Sequence, residues 1–379
     1  MEKVTGINRE MENADELIYA LALGIVDGIG SVTSRTLIEH VGSFRDIFSL
    51  SAKDMRNIPG CTSATAEALR SFSAWRTVED MLEEVRLSGV NPILWTDDAF
   101  PSRLRQCADG PVLLYARGST DFNQRRVLAV VGTRIPSRYG LDVCDQFVRE
   151  LQPFRPLIVS GLAYGVDICA HRTAIQCGLT GVVCLAHGLN HLYPQDHRAT
   201  AEKVLHCGGA WLSEYLPETP AERENFPKRN RLIAGMADAV LVIESGLKGG
   251  SMITARLGFS YSRDVFAIPG RITESKSAGC NYLIRENIAA LAESPARLAQ
   301  MLGWAAGEQL SLESELFGNL NPEEKGLLQV LQGGTRSFDE LTELTSIKPG
   351  ALSMVLLELE MKQMVMALPG KHYSMISRR

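Results

Sequence analysis

Apolar and polar positions change rhythm along the chain. Over residues 13–88, short apolar-periodic segments are separated by glycine-containing turns: ELIYALALGIVDGIG, SVTSRTLIEHVG, FRDIFSLSAKDMRNIPG and TSATAEALRSF. That spacing predicts helices. Residues 89–125 form a bridge rich in Asp and Pro, in which GPVLLYARG predicts a strand. From Val127 onward, short apolar runs ending in or near glycine alternate with helical stretches: VLAVVGTR, LIVSGLA, TGVVCLAHG, GAWLSEY, DAVLVIESG and DVFAIPG. Runs without polar interruption predict strands buried on both faces. Their alternation with helices predicts an α/β fold with a Rossmann-like, doubly wound, mainly parallel sheet. In such sheets ligands sit beyond the carboxyl ends of the strands, where the glycines and polar residues of these runs fall.

The rhythm changes again near the end. Residues 299–320 include SLESELFGNL and hold acidic and turn residues without a sustained apolar pattern, as a linker does. Then NPEEKGLLQVLQ, SFDELTELT and KPGALSMVLLELEMKQ predict helices, and VMALPGKHYSM predicts a hairpin turning at Pro369-Gly370. Three helices and a β wing describe a winged helix. The predicted division is a helical domain over 1–88, an α/β core over 89–298, a linker over 299–320 and a winged-helix domain over 321–379.

Composition narrows the chemistry. Hydrophobic residues make up 45% and charged residues 22%, with a net charge of −5. A wholly basic nucleic-acid binder is excluded, so any anion site must be local, within a screening length of roughly 10 Å. The eight cysteines show no CxxC spacing and several sit in apolar runs. They predict buried, reduced thiols in a reducing cytoplasm and argue against a zinc site. The opening MEKVTGINRE lacks an apolar signal core, and no run reaches the ~20 apolar residues of a membrane span. A cytoplasmic location is expected, and no metal or cofactor is called for.

Four elements carry candidate chemistry. In VVGTRIPSRYG, a buried strand leads to Gly132, Thr133 and Arg134, then to Ser137 before a helix. Such a turn can offer backbone N–H groups to an anion, with Arg134 as a bidentate partner; a plain glycine turn beside a surface arginine gives the same string. In IVSGLAYGVD, Ser160-Gly161 ends a strand, and Asp167 is either an N-cap or a functional acid. His171, four residues on, fits a catalytic pair or simply one helix face. AHGLNHLYPQDH holds His187, His191 and His197 without HExxH spacing or a carboxylate partner, which suits a loop more than a metal site. In ENFPKRNRLIAGMADAVLVIESGLKGGSMITAR, Lys228, Arg229 and Arg231 crowd together beside Phe226 and Asn230, ahead of an apolar helix. Cations next to an aromatic supply charge for phosphates and a face for bases. Gly249-Gly250-Ser251 then makes a second glycine turn at a helix start, after the strand VLVIES.

Taken in order, GTRIPSRYG, SGLAYGVD, GLNHLYP, SEYLP, NFPKRNRLIAG, ESGLKGGSMITA, DVFAIPG and GCNYLI resemble the motifs of the DprA/Smf family (DNA-processing protein A) over about residues 95–295. The flanks resemble that family's accessory modules: an N-terminal SAM or helix-hairpin-helix-like domain and a DprA-type winged helix. The resemblance implies binding of single-stranded DNA during natural transformation, protection of the incoming strand, loading of the RecA recombinase, displacement of single-strand-binding protein, homodimerisation through the core, and no enzymatic activity. Carried over motif by motif, it implies phosphate contacts from Gly132, Thr133, Arg134, Ser160, Gly161, Phe226, Lys228, Arg229, Asn230, Arg231, Gly250 and Ser251. The chain departs from the family in having Thr133 where GSR is common, TARLGFSYSRDV after the glycine turn, and Arg285-Glu286-Asn287 after GCNYLI. The last two bear on the dimer surface more than on a DNA groove.

The N-terminal turns VDGIGSVTSRTL and IPGCTSATAEAL suit either phosphate contact or packing. The recognition helix KPGALSMVLLELEMKQ, with two lysines against two glutamates, suits protein docking at least as well as groove reading. The alternative function is a nucleotide-binding Rossmann enzyme of the phosphoribohydrolase kind, with Glu244 or Asp167 as its acid or base, or a nucleotide sensor. The hydrolase motif PGGxGTxxE is absent, since Arg256 stands where its glutamate belongs.

Overall fold

The computed structural model describes residues 15–304 and 321–375, apart from 333, 346, 362, 363 and 369. The N-terminal segment MEKVTGINRE, the linker residues 305–320 and Pro369 of the wing turn lie outside the described residues. The chain divides into two compact units, Met1–Trp304 and Ala305–Arg379.

The first unit is built on a nine-stranded sheet. Its strands are β1 (Asn91–Leu94), β2 (Leu113–Gly118), β3 (Val127–Val131), β4 (Leu157–Ser160), β5 (Gly181–Cys184), β6 (Ala210–Ser213), β7 (Ala239–Val242), β8 (Asp264–Ala267) and β9 (Ala290–Leu291). Their spatial order is β1-β2-β6-β5-β4-β3-β7-β8-β9. From β6 through β9 every pairing is parallel. The order steps down from β6 to β3 and then jumps to β7, so the topological switch point lies between β3 and β7.

Strand β3 shows why these runs are apolar throughout. Val127, Ala129 and Val131 face one cluster, which includes Leu232, Ile233 and Met252. Leu128 and Val130 face the other, with Phe147, Ala170 and Leu298. Side chains alternate across a strand, and helices cover both faces, so neither set can be polar.

Several sequence expectations need correction here. The bridge contributes β1 as well as the predicted β2, and the two pair antiparallel to each other at the sheet edge. Pro92 lies within β1, and an edge strand tolerates the missing proline N–H. The helices expected as a separate 1–88 domain fall within the first unit. Leu21, Leu37, Phe44 and Val78 share one apolar cluster with Leu94, Tyr115, Val183 and Trp211. The first residues of the predicted linker are also core: the helix Pro295–Met301 buries Ala299, and Trp304 is 5% exposed in the same cluster. Of the thiols, Cys107, Cys144, Cys184 and Cys280 are buried, whereas Cys207 is exposed.

In the second unit, the helices Pro322–Gln332, Phe338–Thr345 and Pro349–Met361 pack Leu327, Leu331, Leu341, Leu352 and Leu356 together. The predicted hairpin is β11 (Val365–Leu368) and β12 (His372–Met375), joined by a short unforeseen strand β10 (Arg336–Ser337). Met354 and Leu357 on the third helix point outward, 60% and 53% exposed.

Candidate nucleic-acid interface

The carboxyl ends of β3, β4 and β7 bring the motif loops together, and each turn is closed in a different way. After β3, the carboxylate of Glu244, from the loop after β7, accepts hydrogen bonds from the Ser137 N–H at 2.7 Å and the Ser137 hydroxyl at 2.8 Å. The Thr133 N–H donates to the Glu244 carbonyl at 2.7 Å. The start of the helix Arg138–Glu150, expected to face a phosphate, is therefore occupied by an internal carboxylate. A Cβ on Gly132 would lie 2.4 Å from Val166 Cγ2, so this glycine serves loop packing. Glu244→Ala leaves the half-buried Ser137 donors without this partner and is expected to cost about 1–2 kcal/mol; Glu244→Gln should lose less. The denaturant midpoint of full-length variants measures both.

After β4, the Val166 N–H donates to the Thr133 carbonyl at 3.2 Å. Beneath this turn lies a buried polar layer. Ser160 is fully buried and its hydroxyl donates to the Val130 carbonyl at 2.6 Å. The Arg229 guanidinium, on a residue 5% exposed, donates to the Cys184 carbonyl. A Cβ on Gly161 would fall 2.5 Å from both Arg229 Nη1 and Asp167 Oδ2. Burial pushes the Asp167 carboxyl above its ordinary value, and Arg229 opposes that shift. Burial likewise lowers Arg229 below the usual guanidinium value, with Asp167 opposing. His171, also fully buried, is lowered to about 4 by burial, and its Nε2 bonds to the Gly161 carbonyl at 2.9 Å. It is neutral at physiological pH.

Burial thus corrects part of the expected contact set. Ser160, Gly161 and Arg229 lie below the surface, the Ser251 hydroxyl is spent on Ser245 at 2.8 Å, and Arg231 is paired with Glu214 and the Asp109 carbonyl. The side chains of Ser160, Arg229, Arg231 and Ser251 all have partners within the fold. The cluster lies within the helix Asn225–Met236 rather than ahead of it, so successive cations point in different directions.

What remains open is a rim. Arg134 and Lys228 are exposed, Thr133, Phe226 and Asn230 are half-buried, and Gly250 is exposed. The Arg134 guanidinium sits 5.6 Å from the Phe226 ring centroid, a cation–π contact that aims it across the loops. The helix Gly250–Ser260 starts without a side-chain cap, and the N–H groups of a first turn have no intrahelical partner. Lys248, exposed just before this turn, escaped sequence reasoning, as did Tyr164. The signal for both was present: a cation beside Gly-Gly, and an aromatic in a strand-end loop.

The candidate histidines are occupied by carbonyls: His187 Nδ1 by Gly188 at 2.8 Å, His191 Nε2 by Glu218 at 2.9 Å and His197 Nδ1 by Leu162 at 2.7 Å. Among the described residues, no group of three or more His, Cys, Asp or Glu is arranged to hold a metal.

The fold is that of a doubly wound α/β protein, with an exposed arginine over an aromatic ring at its switch point, and a winged helix in its second unit. The model of the family described as DNA recombination-mediator protein A matches residues 91–303, and that of the DprA winged helix domain matches residues 318–371. The chain belongs to this DprA family. It is 34% identical to protein Smf of Escherichia coli over 243 residues, 64% of each chain. It is 34% identical to DNA processing protein DprA of Streptococcus pneumoniae over 233 residues, 62% of this chain and 80% of that one. The solved structure of the S. pneumoniae protein matches with a TM-score of 0.62 and 30% identity, covering 75% of this chain and 96% of that one. A structure of DNA processing protein A from Helicobacter pylori, described for its single-stranded DNA binding mode, matches with a TM-score of 0.51 and 29% identity over 57% of this chain and 97% of that one.

Proposed function

We propose that this protein binds single-stranded DNA by its phosphates along the rim over β3 and β7, protects it, and hands it to RecA in natural transformation and homologous recombination, displacing single-strand-binding protein. In this reading it acts in the cytoplasm as a homodimer and catalyses no reaction. The observation that carries it is the exposed Arg134 guanidinium set over the Phe226 ring where the loops after β3, β4 and β7 meet, with exposed Lys228 on the helix that carries Phe226. The direct contacts are Thr133, Arg134, Phe226, Lys228, Asn230 and the Gly250–Ser251 backbone. Gly132, Ser160, Gly161, Arg229 and Arg231 shape the loops from beneath. Glu244 and Asp167, the acids a phosphoribohydrolase would need, are 4% and 8% exposed and engaged by neighbouring loops, which favours binding over catalysis. Among the described residues, no helix is long and apolar enough to cross a membrane.

Salt-dependent binding to single- and double-stranded oligonucleotides tests the proposal. The expected result is tighter binding to oligo-dT than to duplex, with log K falling linearly against log salt, about 0.7 in slope per phosphate contacted. Binding of free nucleotides in preference to oligonucleotides, or release of base from nucleoside monophosphates, would overturn it.

A further inference from the structure

The helices Arg138–Glu150 and Val166–Gln176 follow the loops after β3 and β4, and they pack against each other on one face of the sheet. Each brings one thiol to the seam between them. Cys144 is buried and Cys169 is half-buried. Their placement is reciprocal. The Cys144 thiol donates to the carbonyl of Val166, three residues before Cys169, at 3.9 Å. The Cys169 thiol donates to the carbonyl of Leu141, three residues before Cys144, at 3.8 Å. Residues three apart share a helix face, so each sulfur lies against the turn that carries the other.

Hydrogen bonding between the two thiols holds Cys169 below the ordinary thiol value. The same bond, together with burial, pushes Cys144 well above it. The thiolate is the reactive form, so the sulfur nearer solvent is also the readier nucleophile, and a second thiol stands behind it. An accessible, low-pKa cysteine beside a resolving one is the arrangement that oxidants select. Cys177 is no rival partner. It closes the same helix about 12 Å further along and receives the Arg149 guanidinium at 3.8 Å. Cys107, Cys184 and Cys280 belong to the cluster on the other face of the sheet.

We propose that Cys144 and Cys169 are a modification site, forming a reversible disulfide when the protein meets a peroxide. The Cys169 thiolate attacks one peroxide oxygen. The O–O bond breaks, an S–O bond forms, and the departing hydroxide takes up the proton that Cys169 gave up. The Cys144 thiol then loses its proton and attacks the Cys169 sulfur. The S–S bond forms, the S–O bond breaks, and the second hydroxide leaves with that proton as water. The two thiols are oxidised by two electrons, and the peroxide is reduced to two waters. A thiol reductant reverses the bond by exchange. While it lasts, the disulfide ties together the helices that follow the loops after β3 and β4.

The experiment treats native full-length protein with hydrogen peroxide, removes the peroxide with catalase, alkylates the remaining thiols in denaturant and maps the peptides without reduction. The expected result is a linked peptide pair carrying Cys144 and Cys169, released by dithiothreitol. Cys144→Ala and Cys144→Ser should leave Cys169 as a sulfenic acid that dimedone labels, and Cys169→Ser should leave Cys144 unoxidised. Full alkylation of both thiols after peroxide overturns the inference. So does a link from either one to another cysteine, a link that forms only in unfolded protein, or Cys169 oxidised to sulfinic acid beside a free Cys144. The wild-type map decides by itself where a variant does not fold.

Discussion

Arg229→Ala is expected to destabilise the α/β unit by about 3–5 kcal/mol, the usual cost of leaving a buried charge without its counter-charge, and to lower the melting temperature on the order of 10 °C. Arg229 is 5% exposed, reaches the Cys184 carbonyl, and lies against Gly161 together with the Asp167 carboxylate. Removing it takes away the cation that offsets burial of Asp167 and opens a cavity under the turn after β4. The loss carries a pH signature. Burial raises the Asp167 pKa, so the stability linked to its neutral form is fully present below the unfolded value near 3.8 and fades as pH rises through the folded value. Without Arg229 the folded value climbs further, so the deficit of the variant should be larger at about pH 8 than at about pH 5. Asp167→Asn added to Arg229→Met should recover part of the loss, since neither charge is then left buried alone. Thermal melts across this pH range check the assignment. A deficit that shrinks with rising pH, or melting within ~2 °C of wild type, shows that Arg229 is not the interior tie described here.

The double variant Arg134→Ala/Lys228→Ala is expected to bind oligo-dT roughly a hundredfold more weakly at low salt, about tenfold from each lost charge-assisted contact. The salt slope should fall by about 0.7 for each. Both side chains are exposed, so folding should be unaffected, and the loss should be nearly independent of base sequence. Arg134→Lys should behave more like the alanine than like wild type, because an ammonium cannot reproduce the planar guanidinium on Phe226. Arg231→Ala gives the contrast. Its guanidinium is tied to Glu214, so it should cost stability while leaving the salt slope alone. An unchanged slope in the double variant would remove Arg134 and Lys228 from the phosphate path.

The cluster Lys228-Arg229-Asn230-Arg231 shows where sequence reading stopped short. Taken as a turn ahead of a helix beginning near Arg231, all its cations are equivalent. With the helix starting at Asn225, the buried positions Asn225, Arg229, Leu232, Ile233 and Met236 form one helical stripe. Arg229 belongs to that stripe, while Lys228 lies outside it and is exposed. A boundary displaced by six residues was enough to hide the pattern, and acidic Glu222 and Glu224 before it blurred the start.

Local patterning was sufficient for the mainly parallel sheet, for the placement of glycine turns at its carboxyl edge, and for the winged helix. Apolar runs, helical periods and turn residues act over a few positions, and those positions are adjacent in the chain. Which turn stays open to a ligand was settled by partners far apart in the chain. Glu244 fills the turn at Ser137 because β7 lies beside β3, and Arg229 lies under Gly161 because its helix crosses below the loop after β4. Those partners meet only once the sheet order is in place, and the same residues in another strand order would leave a different rim.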